Sequence, residues 1–207
     1  VSAKSAFIPD SKVQVYLLEN KQYFGRKELY VDPKTGNGFD DNAERFILFC
    51  CAVIDTMRLL HWKPQVIHCN DWQTALVPWF LKHKFKDDEF FAETSTLLSI
   101  HNMAYQGDFP AKALSKSGCL DDLQDSGNDQ IIKYDKVNFL KAGLLTADAI
   151  STVSPTYAKE ILSSQDSAAG LQEELVERKD ALFGILNGVD YNIWDPKTDS
   201  LIDFNYD

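Results

Sequence analysis

The sequence predicts an α/β fold built on a doubly wound, mostly parallel sheet. Three observations carry that expectation. Short β-branched or apolar runs alternate with helix-length amphipathic runs along the chain. The apolar runs read as buried-type strands without strict polar alternation, the pattern of parallel sheets covered on both faces. Three polar clusters each follow a strand directly, where open α/β sheets bind ligands beyond the carboxyl ends of their strands.

The elements follow in order. Lys12–Leu18 reads as a strand and Asp41–Leu60 as a long helix capped by Asp40 or Asp41. Pro64–Cys69 is a second strand, followed by a helix over Trp72–Phe85, and Thr96–Ile100 is a third strand. Residues 108 to about 135 read as a polar loop. Phe139–Leu145 is a helix, Ala149–Val153 a strand, and Pro155 at a first helical position opens Thr156–Leu162. Leu182–Leu186 is the last strand, and the tail from Asp195 to Asp207 loses periodicity and reads as an exit from the domain. Right-handed crossovers between such strands place helices on both faces. Asp121–Asp129 and Ser163–Ala169 read as surface loops.

With 207 residues the chain exceeds the roughly 150 of an average domain and can bury a substantial core. Lys and Arg number 21 against 31 Asp and Glu, a formal charge of −10, so no domain-wide basic field points to nucleic acid or anionic lipid. The expected partners therefore include neither. The four cysteines, Cys50, Cys51, Cys69 and Cys119, have no metal-ligand spacing with the histidines, and the adjacent pair lies in an apolar run. That pattern suits reduced thiols in a cytoplasmic setting. No stretch approaches the ~20 apolar residues of a membrane span, and the start has no signal-peptide core. Val1 in place of an initiator Met reads as an excised or processed chain.

No Gly-rich dinucleotide loop, P-loop or nucleophile elbow is present; Gly36-Asn37-Gly38 is a turn. The chemistry-bearing clusters are His68-Cys69-Asn70-Asp71, His101 to Gly107, and Asn187-Gly188-Val189-Asp190, expected along one edge of one cleft. Asp71 can hydrogen-bond sugar hydroxyls, or cap the helix that starts at Trp72; one carboxylate can do both. His101, with Asn102, Tyr105, Gln106 and Gly107, offers neutral donors, acceptors and an aromatic face, the mixture that carbohydrate sites use. His61, His68 and His83 have no comparable surroundings. Asn187-Gly188 is a strong turn dipeptide whose backbone N–H groups could point into the cleft. Tyr30, Asp32, Phe39, Asn42 and Arg45 read as a loop leading into a capped helix.

Four ordered blocks resemble the bacterial glycogen synthase and plant starch synthase family. Val66-Ile67-His68-Cys69-Asn70-Asp71-Trp72-Gln73-Thr74 is similar to the segment around the family's H-x-H-D-W motif, and Ser99 through Gly107 to its IHN-x-AYQG loop. Asn138 through Ile161 resembles its FLKAG…VSPTYA-x-EI block, and Gly184 through Asp190, with Trp194, Pro196 and Asp199, its G-[IV]-LNG-[IV]-D…W-x-P-x-TD block. Asp41-Asn42-x-x-Arg45-Phe46 fits as well. Asn70 stands where the family usually has a second histidine, and Ala168-Ala169-Gly170-Leu171 fits its G-x-GL segment only loosely.

The resemblance implies the Rossmann-like N-terminal domain of a GT-B glycosyltransferase that transfers glucose with retention, typically from ADP-glucose, to the non-reducing end of an α-1,4-glucan. Neither a metal nor a cofactor is implied. Residues 1–195 would form the acceptor-side domain without its first strand and K-x-GGL loop, and 196–207 the start of the interdomain linker. The partner so implied is a C-terminal GT-B domain carrying the phosphate-binding cations, without which the fragment is inactive. The candidate catalytic residues are His101, near the donor glucose, and Asp71. The candidate substrate-binding residues are Asn102, Tyr105, Gln106, Gly107, Asn187, Gly188 and Asp190. A stand-alone glucan-binding or regulatory module is the alternative. Sucrose- or trehalose-phosphate-forming GT-B enzymes fit the Asn102-to-Gly107 and Leu186-to-Asp190 contexts less well.

Overall fold

The computed structural model of the chain describes residues 1–115 and 128–207. Ser2–Phe7 (β1) and Gln14–Glu19 (β2) pair antiparallel, with Ser2 opposite Glu19 and Phe7 opposite Gln14, as a two-stranded hairpin outside the main sheet. The run expected to open a parallel β–α unit is thus one arm of a hairpin. The cause is the Pro9-Asp10-Ser11 turn: Asp10 takes a left-handed φ of 56°, Ser11 N–H donates to Ile8 O, and Ile8 N–H to Val13 O. A short helix, Lys21–Phe24 (α1), follows, capped by the Asn20 side chain on Tyr23 N–H.

Asn42–Leu59 (α2) buries Ala43, Ile47, Cys50, Ile54 and Met57, one face at helical spacing. Asp41 precedes its first turn without capping it, because both carboxylate oxygens are taken by Arg26 at 2.8 and 2.5 Å. That bond also holds the Arg26 guanidinium above its ordinary pKa.

Val66–Asn70 (β3) leads into Asp71–Thr74 (α3) and Leu76–His83 (α4). The single helix expected over this stretch is therefore two, with the junction at Ala75. Pro78 has no N–H to return to the carbonyl of Thr74, so the regular ladder is interrupted there. Ser95–Ile100 (β4) follows, burying Thr96, Leu98 and Ile100 alternately.

The stretch expected as a polar loop contains Asp108–Pro110 (β5), Lys112–Ser115 (α5), Asn128–Ile131 (α6), Ile132–Lys133 (β6) and Lys136–Asn138 (β7). These strands form a small antiparallel sheet in the order β5-β7-β6. Strands of two or three residues leave no periodicity to read. Cys119 and most of Asp121–Asp129 lie outside the described residues.

Phe139–Thr146 (α7) is capped by Asn138 Oδ1 on Lys141 N–H at 2.7 Å. Gly143 brings α7 against Ala75, since a Cβ there would sit 2.7 Å from the Ala75 Cβ. Ala149–Thr152 (β8) precedes Pro155–Ser163 (α8), whose cap, Ser154 Oγ on Tyr157 N–H, and leading proline match the sequence expectation. Ser163–Ala169 is not purely a surface loop: Ala168 is fully buried, and Leu171 and Leu175 follow it into the core. Gln172–Glu177 (α9) and Leu182–Gly184 (β9) complete the set.

The main sheet is parallel, in the order β3-β4-β8-β9, with Cys69 beside Leu98 and Leu98 beside Ile150. The strands thus run in chain order, and right-handed crossovers all travel one way. Helices α2, α4, α7 and α9 pack in sequence as one layer over the Cys69, Leu98 and Ile150 face. The α/β, Rossmann-like arrangement expected from the sequence is thus present; Val66 and Phe183, on the face opposite these helices, are each more than half exposed.

Candidate active site

Parallel pairing brings the ends of β3 and β4 to one edge, with Asn70 beside Ser99. The chain turns there through Asp71, whose φ of 55° is left-handed and uncommon for a side chain bearing a Cβ. Two bonds hold the turn. Asn70 N–H donates to Thr74 Oγ1 at 2.6 Å while the Thr74 hydroxyl donates to Asn70 O at 2.8 Å. The Asp71 carboxylate accepts the backbone N–H of His101 at 2.8 Å, so it reaches across to the next strand instead of capping its own helix. The His101 ring meets Asn70 Oδ1 through Nε2 at 3.0 Å. Asn70, Asp71 and His101 thereby form one connected polar unit at the carboxyl edge of the sheet.

The loop after His101 has an internal order that sequence did not show. Asn102 Oδ1 accepts Ala104 N–H at 2.9 Å and starts a turn, and Tyr105 projects outward, two-thirds exposed. Gln106 faces inward: its amide donates to Ala169 O at 2.7 Å and Met103 O at 3.1 Å, and its Oε1 accepts from Asn138 Nδ2 at 2.6 Å. Gly107 has φ 66°, and a Cβ on it would lie 2.5 Å from the Trp72 ring. Gln106 and Gly107 therefore fix the loop against α7 and Trp72, while Asn102 and Tyr105 form its outer surface.

Asn187, Gly188 and Asp190 follow β9, which is two strands from β4 in the sheet order. At ~4.8 Å per strand that is about 10 Å. All three are exposed, and Asp190 Oδ1 accepts Asn192 N–H at 2.9 Å. Among the described residues no hydrogen bond links this cluster to His101 or Asp71.

A cavity of about 430 Å³ opens beside Asp71, lined by Tyr30, Arg45, Phe46, Asn70, Asp71 and Gln73 among others. Arg45 organises the loop behind it, donating to Tyr23 O and Leu29 O at 2.8 Å and to Asn42 Oδ1 at 2.5 Å. Burial lowers the pKa of that guanidinium from its ordinary value. Gln73 Nε2 donates to the Tyr30 hydroxyl at 3.0 Å, and the Tyr30 ring packs near Phe46 and Trp72. The loop around Tyr30 thus reaches the cleft as well as leading into α2. Gln73 and Thr74 are the contributors that sequence reading passed over; their position one turn after Asp71 was the available signal.

Burial pushes the Cys69 thiol up to about 12, which keeps it protonated and unsuited to nucleophilic work. Among the described residues no group of three or more His, Cys, Asp or Glu is placed to hold a metal ion, and no helix is long and apolar enough to cross a membrane.

The family described as the starch synthase catalytic domain matches residues 2–177. A glycogen synthase of Geotalea daltonii is 46% identical over 195 residues, covering 94% of this chain and 39% of that protein. One from Thermosipho africanus is 45% identical over 200 residues, again with 39% of its length covered. The chain thus spans about two-fifths of the length of these curated relatives. A solved structure, the catalytic domain of starch synthase IV from Arabidopsis thaliana bound to ADP and acarbose, superposes with a TM-score of 0.66 at 27% identity, over 84% of this chain and 35% of that one. With a family match over residues 2–177 and a polar site at the carboxyl edge of its parallel sheet, this chain belongs to the starch synthase catalytic domain family.

Proposed function

We propose that the chain is the acceptor-side domain of a retaining glucosyltransferase that moves glucose from ADP-glucose to the non-reducing end of an α-1,4-glucan. The observation that carries this is the bonding of Asp71 and Asn70 to His101 at the strand ends, beside a cavity walled by aromatic and aliphatic side chains with Arg45, Asn70, Asp71 and Gln73 as its polar groups. Neutral hydroxyl-rich ligands suit such a wall, and the net charge of −10 disfavours polyanions. The names of the relatives, and the ADP and acarbose bound to the structural neighbour, support the same substrate class.

A retaining transfer must hold the donor diphosphate as it leaves, pass through an oxocarbenium-like sugar, and align an acceptor hydroxyl beside it. In this proposal His101 and Asp71 are the catalytic pair on this side: His101 contacts the donor glucose and Asp71 fixes its backbone. Asn102 and Tyr105 bind sugar from the loop surface, Gln106 and Gly107 hold that loop in shape, and Asn187, Gly188 and Asp190 contribute near the sugar and phosphate. The cations that stabilise the diphosphate come from a second GT-B domain closing over this one. Residues 1–195 then form the domain and 196–207 begin the linker, whose Leu201 and Phe204 are about nine-tenths exposed and available to pack elsewhere. The buried Cys69 thiol, which is in no disulfide, supports a cytoplasmic setting.

Calorimetric titration of the chain with ADP-glucose and, separately, with maltopentaose tests the proposal. The expected result is glucan binding without tight nucleotide-sugar binding, and no glucosyl transfer by the chain alone. Tight ADP-glucose binding, or measurable transfer, overturns it.

A further inference from the structure

We infer that Asn70 is a positioning residue that sets the tautomer of His101, so that Nε2 carries the ring proton and Nδ1 is left as a hydrogen-bond acceptor. The value of that acceptor for a sugar hydroxyl rests on the proposed function; the tautomer itself does not.

A carbonyl oxygen only accepts, so at 3.0 Å from Asn70 Oδ1 the His101 Nε2 must donate. In a neutral imidazole the other nitrogen is then bare, and the partner of one ring nitrogen decides what the other can offer. The strength of the assignment comes from how little freedom Asn70 has. Its N–H and C=O are both tied to the Thr74 hydroxyl, and the next residue is locked in a left-handed turn by its carboxylate bond to the His101 backbone. Asp71 thus fixes where His101 sits, Thr74 fixes where Asn70 sits, and the Asn70 amide fixes the ring between them. Nδ1 has no hydrogen-bond partner among the described residues. Asn70 itself lines the cavity beside Asp71, and His101 is exposed next to it at the end of the adjacent strand.

The chemical consequence is directional. An acceptor at Nδ1 accepts a hydrogen bond from a neutral hydroxyl, whereas the other tautomer would present a donor there and favour a carbonyl or an anion. Together with the Asn70 amide N–H₂, the pair offers both a donor and an acceptor, the two roles that sugar hydroxyls require.

The test is long-range 15N–1H correlation NMR of the imidazole ring in this chain at about pH 8.5, where an ordinary histidine is neutral. Correlations to the carbon-bound ring protons report which nitrogen is protonated without needing the exchangeable proton. A single Nε2–H form is expected in the parent chain. Asn70→Asp, which keeps an acceptor oxygen, retains it, and Asn70→Leu gives averaged shifts of two tautomers with an unchanged backbone spectrum. An Nδ1–H form in the parent chain overturns the inference with no variant needed, and so does a parent-like ring spectrum in Asn70→Leu. Maltopentaose added to the parent chain separates the two claims: a shift at Nδ1 joins the tautomer to glucan binding, whereas no shift with a fixed Nε2–H form removes the glucan reading and leaves Asn70 in its positioning role.

Discussion

The Asp71 carboxylate accepts the backbone N–H of His101 at 2.8 Å, joining residues 30 apart in sequence at the ends of two adjacent strands. The bond has two effects at once. It satisfies a backbone donor that has left the sheet ladder, and it holds Asp71 at a φ of 55°, where an L-residue costs energy. Asp71→Ala keeps the strained backbone and loses the bond, so it should lower stability by about 1–3 kcal/mol in urea unfolding. Asp71→Gly loses the same bond but relieves the left-handed strain, so it should unfold at a higher urea concentration than Asp71→Ala. Equal midpoints for the two variants would show that the turn is not strained.

Gly107→Ala places a methyl group 2.5 Å from the Trp72 ring at a φ of 66°. Trp72 is itself packed among Phe46, Phe109 and Phe139 and has little room to withdraw. Combining overpacking with left-handed strain, the substitution should cost roughly 2–4 kcal/mol. The same displacement should move Tyr105, so maltopentaose affinity should fall along with the unfolding midpoint. A loss of stability with intact affinity would place the glucan contacts elsewhere.

Gln106→Leu removes an amide bonded to Ala169 O, Met103 O and Asn138 Nδ2. Because Asn138 also caps α7, its effect should spread to that helix. A destabilisation of about 1–3 kcal/mol is expected. Native-state hydrogen exchange should accelerate at Lys141, whose N–H is the capped donor, more than at Leu98 in the central strand. Uniform acceleration would mean that the loop and α7 are not coupled through this amide.

Much of this arrangement was legible in the sequence. The strands over 66–70, 95–100 and 149–152 are apolar or β-branched runs between helical periods, and their order placed Asp71 and His101 at one edge. The Ser154-Pro155 helix start was readable because the cap is local chemistry. What escaped reading depends on partners distant in sequence. Nothing local distinguishes a carboxylate that caps Trp72 from one that reaches His101, nor shows that Gly107 must clear an indole 35 positions earlier. The run Lys12–Leu18 read as the opening strand of a β–α unit because apolar content alone does not reveal its partner; in the fold Gln14–Glu19 pairs with Ser2–Phe7 across a turn at Asp10. Gln106 was legible as a polar side chain of the loop after β4; only the fold shows that its amide bonds Ala169 O, Met103 O and Asn138.

Asp148 gives the fold an acid-sensitive joint at the opposite edge of the sheet. Its Oδ2 accepts both the N–H and the hydroxyl of Thr96 at 2.7 and 2.9 Å, and Oδ1 pairs with Lys82 at 3.0 Å. Burial raises its pKa, but the bonds from Lys82 and Thr96 outweigh that and hold it below the ordinary value of 3.8. A carboxyl whose folded pKa is depressed contributes stability above its unfolded pKa and loses it as pH falls through the folded one. The contribution should therefore be whole at neutral pH and decline once pH drops below about 4. Asp148→Asn cannot titrate and loses the Lys82 attraction, so it should be less stable at pH 7 and should converge on the parent chain toward pH 2. Because Asp148 is partly exposed, the neutral-pH difference should also shrink in high salt. Urea midpoints of the two chains measured from pH 7 to pH 2 decide the point, and parallel curves across that range would remove Asp148 as a source of the acid response.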